Sequence, residues 1–339
     1  MNKKGVTCLL IGALIIIIGA FYYFFFASLS SKKEAVFVNI DDNDNIDSVY
    51  TKINQAADPH QMFGFKTLAA LTGYKNHIRT GHYEITKSTG SFTLLRRMKN
   101  GRQTPVELTI PSVRTNERLA AELGKKLMAD STQFIHLFKD SAECAKYDCD
   151  TATILCLFIP NTYEIYWNMP LDKFMKRMKK EYDTFWTPNR LNQAKAAGLT
   201  PQQVIILASI IDEETANNAE KPDIAGMYLN RYHKGMPLQA DPTIKFATRQ
   251  FQLRRIYEKL LFVKSPYNTY RNLGLPIGPI RIPSLAGINA VLNYTHHNYI
   301  YMCAKEDFSG THRFASNYAE HMVNAKRYAD ALNQRGIIH

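Results

Sequence analysis

The chain has 339 residues, 45% of them hydrophobic and 21% charged, with five cysteines and a formal net charge of +12. That length allows roughly two domains and a substantial core, which excludes a small disulfide-stapled scaffold, and its many aliphatic and aromatic residues exclude disorder. A mean hydropathy of −0.27 excludes a polytopic membrane protein and leaves one apolar block as the exception.

That block runs without a charge from Val6 to Ala27. A bilayer core needs about 20 apolar residues in a helix. Lys3 and Lys4 precede the block, and Tyr22, Tyr23 and Phe24 to Phe26 close it, as in an interfacial aromatic belt. A cleaved signal peptide has a shorter apolar stretch, about 7–15 residues, and an A-x-A-like site. Ala27-Ser28-Leu29-Ser30 matches such a site poorly, so an uncleaved transmembrane anchor is expected. Lys3 and Lys4 are opposed by Lys32 and Lys33, and this balance leaves orientation open. No second apolar block of spanning length follows, which places the remainder on one side of a membrane.

Beyond the juxtamembrane segment, 35–40 alternates like a strand and 41–45 reads as a turn. Helices are expected at 46–57 and 61–71, broken at Asp58-Pro59. A strand at 81–85, a helix at 91–98 and a strand at 106–110 follow. This β-α-α-β-α-β order predicts a compact α+β module within 35–112. Residues 113–152 read as a helical linker region, helical over 114–140 and loop over 141–152. Residues 153–339 read as a larger, helix-rich α+β domain with a Pro/Gly-rich segment at 264–284. Cys144 and Cys149 lack a neighbouring His cluster, so free thiols are expected and no metal site is read. There is no phosphate-binding glycine loop, no G-x-S-x-G elbow and no nucleic-acid motif.

The most informative stretch is Thr200 to Glu220. Thr200 and Gln203 form a capping box, with Pro201 at the first helical position. Val204 to Ile211 contains one polar residue, Ser209, so this helix is expected to be buried on all sides. Asp212, Glu213 and Glu214 follow at its C-terminal end, where the helix dipole opposes acids. Glu214 lies three, four and seven residues after Ile211, Ile210 and Leu207, so its side chain should rest on that apolar wall. Desolvation and neighbouring carboxylates would both raise its pKa, as a general acid for glycoside cleavage requires. Three acids solvated at a helix end is the plain alternative.

These residues resemble the membrane-anchored endolytic murein transglycosylases, the MltG/YceG-like family, and the resemblance covers nearly the whole chain. Leu207-Ala208-Ser209-Ile210-Ile211-Asp212-Glu213-Glu214-Thr215 is similar to the family's L-A-S-I-I-E-K-E-T. Asn230-Arg231 and Gly235 to Thr243 match N-R…G-M-x-L-Q-x-D-P-T. Ser265 to Tyr270 matches [ST]-x-Y-N-T-Y, Gly274 to Ile280 matches G-L-P-x-G-P-I, and Gly310 to Phe314 matches G-x-H-x-F. Asp212 and Glu213 replace the family's first Glu and its Lys. Ile282-Pro283-Ser284 stands for N-P-G, and His321-Met322 for an H-N pair.

The resemblance implies cleavage of the β-1,4 bond between N-acetylmuramic acid and N-acetylglucosamine in nascent peptidoglycan, leaving 1,6-anhydro ends. It implies no metal or organic cofactor. It also implies a single-pass protein of the bacterial cell membrane, its large domain outside the cytoplasm, with glycan strands as substrate and glycan-polymerising enzymes as partners. In the wider lytic transglycosylases the catalytic glutamate precedes a Ser or Thr, which here is Glu214, although the residues alone leave Glu213 open. Gln239 and Asp241 are expected to bond sugar or Glu214, or else to fix a turn. Tyr267, Asn268, Thr269 and Tyr270 offer rings and amides to sugar, or else pack the fold. Glu220, Thr243 and His312 complete the expected substrate contacts, with His312 otherwise a structural residue of its turn and Glu220 otherwise an orienting or surface group. The module at 35–112 resembles the family's LysM-like region, either a glycan binder or a spacer. A muramidase using Asp241 as second acid, and a non-catalytic wall-binding scaffold, are the competing readings.

Overall fold

The computed structural model describes residues 3–60, 62–253 and 255–335. The apolar block forms α1 (Lys3–Phe25). Its Gly5–Phe25 stretch has a mean hydropathy of 2.5 and exposed side chains, and it is long and apolar enough to cross a membrane. The chain divides into two compact units. The first comprises Met1–Leu108, Lys126–Ala129 and Tyr163–Pro170, and the second comprises Thr109–Lys125, Asp130–Thr162 and Leu171–His339.

In the first unit, β1 (Val36–Ile40) leads into α2 (Ile46–Ala57) and α3 (Phe63–Leu71). Asn45 and Ser48 form a capping box that starts α2, and Asp58 ends it in the left-handed region. Next come β2 (Gly81–Ile85) and α4 (Ser91–Asn100). β2 pairs antiparallel with β1, with Val38 opposite Tyr83. Val38, Ile53, Phe65, Tyr83 and Leu94 pack into one core beneath this ribbon. The end of α1 docks here: Phe24 meets the edge of Phe63, and the Leu29 N–H donates to the Thr89 carbonyl at 2.9 Å.

One pairing departs from expectation. The strand expected at 106–110 forms as β3 (Val106–Thr109), but its partner is β4 (Thr162–Ile165), a strand with no clear sequence signal. A partner so distant in sequence is invisible to local alternation, whereas β1 and β2 satisfy each other.

The second unit contains α5 (Asn116–Gly124), α6 (Ser131–Lys139) and α7 (Ser141–Ala145). The stretch read as a linker therefore belongs mostly to this unit, and Asp140 caps a short helix where loop was expected. α8 (Leu171–Phe185), α9 (Pro188–Ala196), α10 (Pro201–Glu214) and α11 (Lys221–His233) follow. Then come α12 (Asp241–Ala247) and α13 (Leu285–Leu292). The antiparallel pair β5 (Tyr301–Ala304) and β6 (His312–Ala315) leads into α14 (Tyr318–Gln334).

α10 is the core of this unit. The Thr200–Gln203 capping box is present, and every residue from Val204 to Ile211 is buried. α9, α11, α12 and α13 pack around it. Its one polar residue in that run is satisfied twice: Ser209 Oγ donates to the Ile206 carbonyl at 2.6 Å and accepts from the Ile280 N–H at 3.0 Å. The Pro/Gly-rich segment is thereby tied to the central helix.

Candidate active site

Three consecutive acids end α10, and successive helical residues point about 100° apart. Asp212 accepts from Lys221 Nζ at 2.6 Å, with both side chains almost fully buried. It also accepts from the backbone N–H and the hydroxyl of Ser284, so it bolts α10 to the starts of α11 and α13. Glu213 accepts the Arg114 fork at 2.8 and 2.9 Å and Arg281 Nη1 at 3.0 Å. Two of the three acids are therefore neutralised by cations.

Glu214 has a different environment. Its Oε1 accepts from the Tyr228 phenol at 2.5 Å, and it lines a cavity of about 320 Å³. Burial pushes its pKa up to about 7, the Tyr228 hydrogen bond opposes that rise, and the charge of Asp241 adds to it. A carboxyl in that range is partly protonated at neutral pH, and it sits where a ligand has access.

The rest of the cavity comes from α11, α12, the strand pair, α14 and the loops that carry Gln239 and Tyr270. Asp241, the first residue of α12, accepts from the Tyr270 phenol at 2.5 Å. Arg231 on α11 is 5% exposed. Its guanidinium donates to the Pro237 carbonyl at 2.9 Å, the Ile300 carbonyl at 2.8 Å and Gln239 Oε1 at 2.5 Å. Gln239 is held at φ 53°, in the left-handed region where a residue with a side chain is uncommon. Tyr301 of β5 stacks on His321 of α14, with ring centroids 5.1 Å apart. His312 of β6 also faces the cavity. Its Nδ1 lies 3.1 Å from Glu220 Oε2, and its backbone N–H donates to Glu220 Oε1 at 2.5 Å.

The family model of the YceG-like family matches residues 38–327. The chain belongs to the YceG-like family. An "Endolytic murein transglycosylase" of Streptococcus pneumoniae serotype 2 (strain D39) is 26% identical over 332 residues, 89% of this chain and 60% of that protein. A protein of the same name from Bacillus subtilis (strain 168) is 32% identical over 165 residues, 49% of this chain and 45% of that one. The chain thus spans about 60% of the length of its pneumococcal relative. A crystal structure of a yceG-like protein from Listeria monocytogenes has a TM-score of 0.54 at 23% identity, covering 86% of this chain and 99% of that chain, and this likeness concerns the fold.

The YceG-like motifs separate into two groups in space. Glu214, Gln239, Asp241, Tyr270 and His312 line one cavity, with Glu220 holding His312 from behind. Thr243, Asn268 and Thr269 are buried and serve the backbone. Asn268 Nδ2 donates to the carbonyls of Leu261 and Val263, and the Thr269 hydroxyl accepts from the Ala240 N–H and meets that of Thr243. Tyr267 packs on Phe246 and lines a separate, smaller cavity. Sequence reasoning gave no site role to Tyr228, Arg231, Tyr301 or His321. Arg231 and His321 fall within quoted motifs, which was the available signal. Tyr228 carried none, because its contact with Glu214 depends on how two helices pack.

Proposed function

We propose that this YceG-like chain is an endolytic lytic transglycosylase that cuts the β-1,4 MurNAc–GlcNAc bond of nascent peptidoglycan. The carrying observation is Glu214: the one acid of three at the end of α10 that lines the cavity, with its pKa pushed up to about 7. In this mechanism protonated Glu214 gives its proton to the glycosidic oxygen as the bond from the anomeric carbon breaks. The resulting carboxylate takes the proton of the muramic 6-hydroxyl, whose oxygen bonds to the anomeric carbon. The proton moves from one sugar oxygen to another, no water is consumed, and Glu214 returns to its acid form. Asp241 and the cavity's aromatic groups supply orientation and charge around the oxocarbenium-like state.

A second reading has support from one observation: Asp241 is a second carboxylate lining the same cavity, as a muramidase would need. Mass spectrometry of digested strands separates the two, since anhydro ends are one water lighter than reducing ends. Anhydro ends from the wild-type chain and their loss in Glu214→Gln support the proposal. Reducing ends alone reject it in favour of the muramidase, and full cleavage by Glu214→Gln rejects the residue assignment.

The remaining expectations fit this proposal. α1 serves as a single-pass anchor that holds the large domain outside the cytoplasm, near newly made strands and the enzymes that polymerise them. The β1–β2 module is LysM-like and either grips glycan or sets the height of the active site. Of the net charge, +3 lies in residues 1–34 and the rest beyond, which suits attraction to anionic lipid and wall polymer.

A further inference from the structure

The helix α1 does not end in a tether. Four residues after its last residue, Phe25, Leu29 is buried in the core of the first unit, and its N–H donates to the Thr89 carbonyl at 2.9 Å. Ser30 Oγ and the Ser31 N–H both donate to the Ala57 carbonyl, at 3.1 and 3.3 Å. The backbones also touch. A side chain at Gly64 of α3 would collide with the Phe24 carbonyl, and one at Gly90, the N-cap of α4, with the Phe26 carbonyl. α1 is thus docked directly on the module that follows it.

Its length fixes a level. The Gly5–Phe25 stretch has 21 residues, about 31 Å of helix, against a hydrocarbon core of about 30 Å. Phe24 to Phe26 therefore stand where hydrocarbon gives way to headgroups. Phe63, in the first turn of α3, meets Phe24 with ring centroids 5.1 Å apart, and Phe92, in the first turn of α4, meets Phe26 at 5.7 Å. Both rings remain exposed, by 59% and 42%. We infer that Phe63 and Phe92 sit in the interfacial layer of the bilayer that holds α1, so the module is seated on lipid and not hung from a stalk. This inference rests on the reading of α1 as an uncleaved anchor and adds a second contact with lipid.

The charge pattern supports it. Pro59 to Val106, which carries both helices, holds eight Lys and Arg against one acid, Glu84. The module's acids cluster instead at Asp41, Asp42, Asp44 and Asp47. That turn lies at the end of the β1–β2 ribbon opposite the segment 86–90, which meets the end of α1. An exposed cation stands one turn beyond each ring on the same helix face: Lys66 after Phe63, and Arg96 after Phe92. A ring at the acyl boundary with a cation one turn further suits an anionic lipid surface. A glycan strand is the competing occupant.

The test uses the full chain in vesicles of phosphatidylethanolamine and phosphatidylglycerol, brominated high on their acyl chains so that they quench nearby indoles. Flotation with the vesicles after a carbonate wash reports the anchor. Phe63→Trp and Phe92→Trp should each lose about half of the emission they add to that of Trp167 and Trp186, as indoles about 5–10 Å deep in the interface would. Asp42→Trp, at the far end of the ribbon, should lose almost none. In chains that float, quenching no greater at Phe63→Trp and Phe92→Trp than at Asp42→Trp overturns the seating and leaves the anchor reading intact. Emission that shifts on adding isolated glycan strands, yet is not quenched by bromine, gives this face to glycan and also overturns the seating. Chains that fail to float overturn the anchor reading and the seating with it. Adding Lys66→Glu should reduce the quenching of Phe63→Trp at low salt more than at high salt. No reduction at low salt overturns the part given to Lys66.

Discussion

The Tyr228 phenol donates to Glu214 Oε1 at 2.5 Å, across the contact between α10 and α11. Two opposed effects meet there. Burial favours the neutral acid, and the phenol favours the carboxylate, so Glu214 is poised near 7 instead of being driven higher. In the proposed mechanism Glu214 first gives and then takes a proton, and such a group works best near that balance.

The stability of the fold should carry the mark of this burial. The folded-state pKa of about 7 lies above the ordinary carboxyl value of 4.5, so the folded chain keeps a proton that the unfolded chain releases. The contribution of Glu214 is fullest below pH 4.5, falls as pH rises, and levels off above 7. Glu214→Gln should therefore stabilise the chain at pH 8 by about 1–3 kcal/mol, the lower part of that range reflecting water in the cavity, and by almost nothing at pH 4. Urea titrations at the two pH values measure the difference. Equal stability shifts at both would show that the carboxyl is not desolvated.

Tyr228→Phe removes the donor and leaves the burial. The pKa of Glu214 should rise further, because the phenol is what lowers it. The alkaline limb of the kcat/KM profile, set by loss of the acid form, should move to higher pH. The rate at low pH should change less. An unmoved limb would mean that a different group sets it.

Asp212 and Glu213 should be separable from Glu214 by what their loss does. Lys221→Met strands the buried Asp212 carboxylate and should cost about 3–5 kcal/mol, read by chemical denaturation. Glu213→Gln weakens part-exposed pairs to Arg114 and Arg281 and should cost about 1 kcal/mol, with anhydro-end production retained. Loss of turnover by folded Glu213→Gln would transfer the acid role to Glu213.

The split among these acids explains what was legible in the sequence. The capping box, the all-apolar run and the first module's helices and strands are local patterns, and each stands where periodicity put it. The destination of each acid is not local. It depends on Lys221 and Ser284, on Arg114 and Arg281, and on Tyr228, all contributed by other parts of the fold. The motif Tyr267 to Tyr270 reads equally as sugar contacts or as packing, and the division within it is not local: Asn268 and Thr269 serve their own turn's backbone, and of the four only Tyr270 faces the cavity of Glu214. The partner of β4 is far away in sequence, whereas Tyr228 lies only 14 residues from Glu214 and meets it through the packing of two helices.

Arg231 provides the last contrast, between shape and charge. Its guanidinium reaches three acceptors on the Pro237, Gln239 and Ile300 backbones and side chains, so it sets both the strained turn at Gln239 and the entry to β5. Arg231→Lys keeps the charge but cannot span all three. It should lower stability by about 2 kcal/mol, since buried acceptors lose their donor, and lower kcat/KM about tenfold. Gln239→Ala removes one cavity-lining acceptor and leaves both carbonyl contacts of Arg231. It should reproduce most of the kinetic loss with less than half of the stability loss. If Arg231→Lys unfolds the chain no more readily than Gln239→Ala does, the two carbonyl bonds are not what fixes this wall of the cavity.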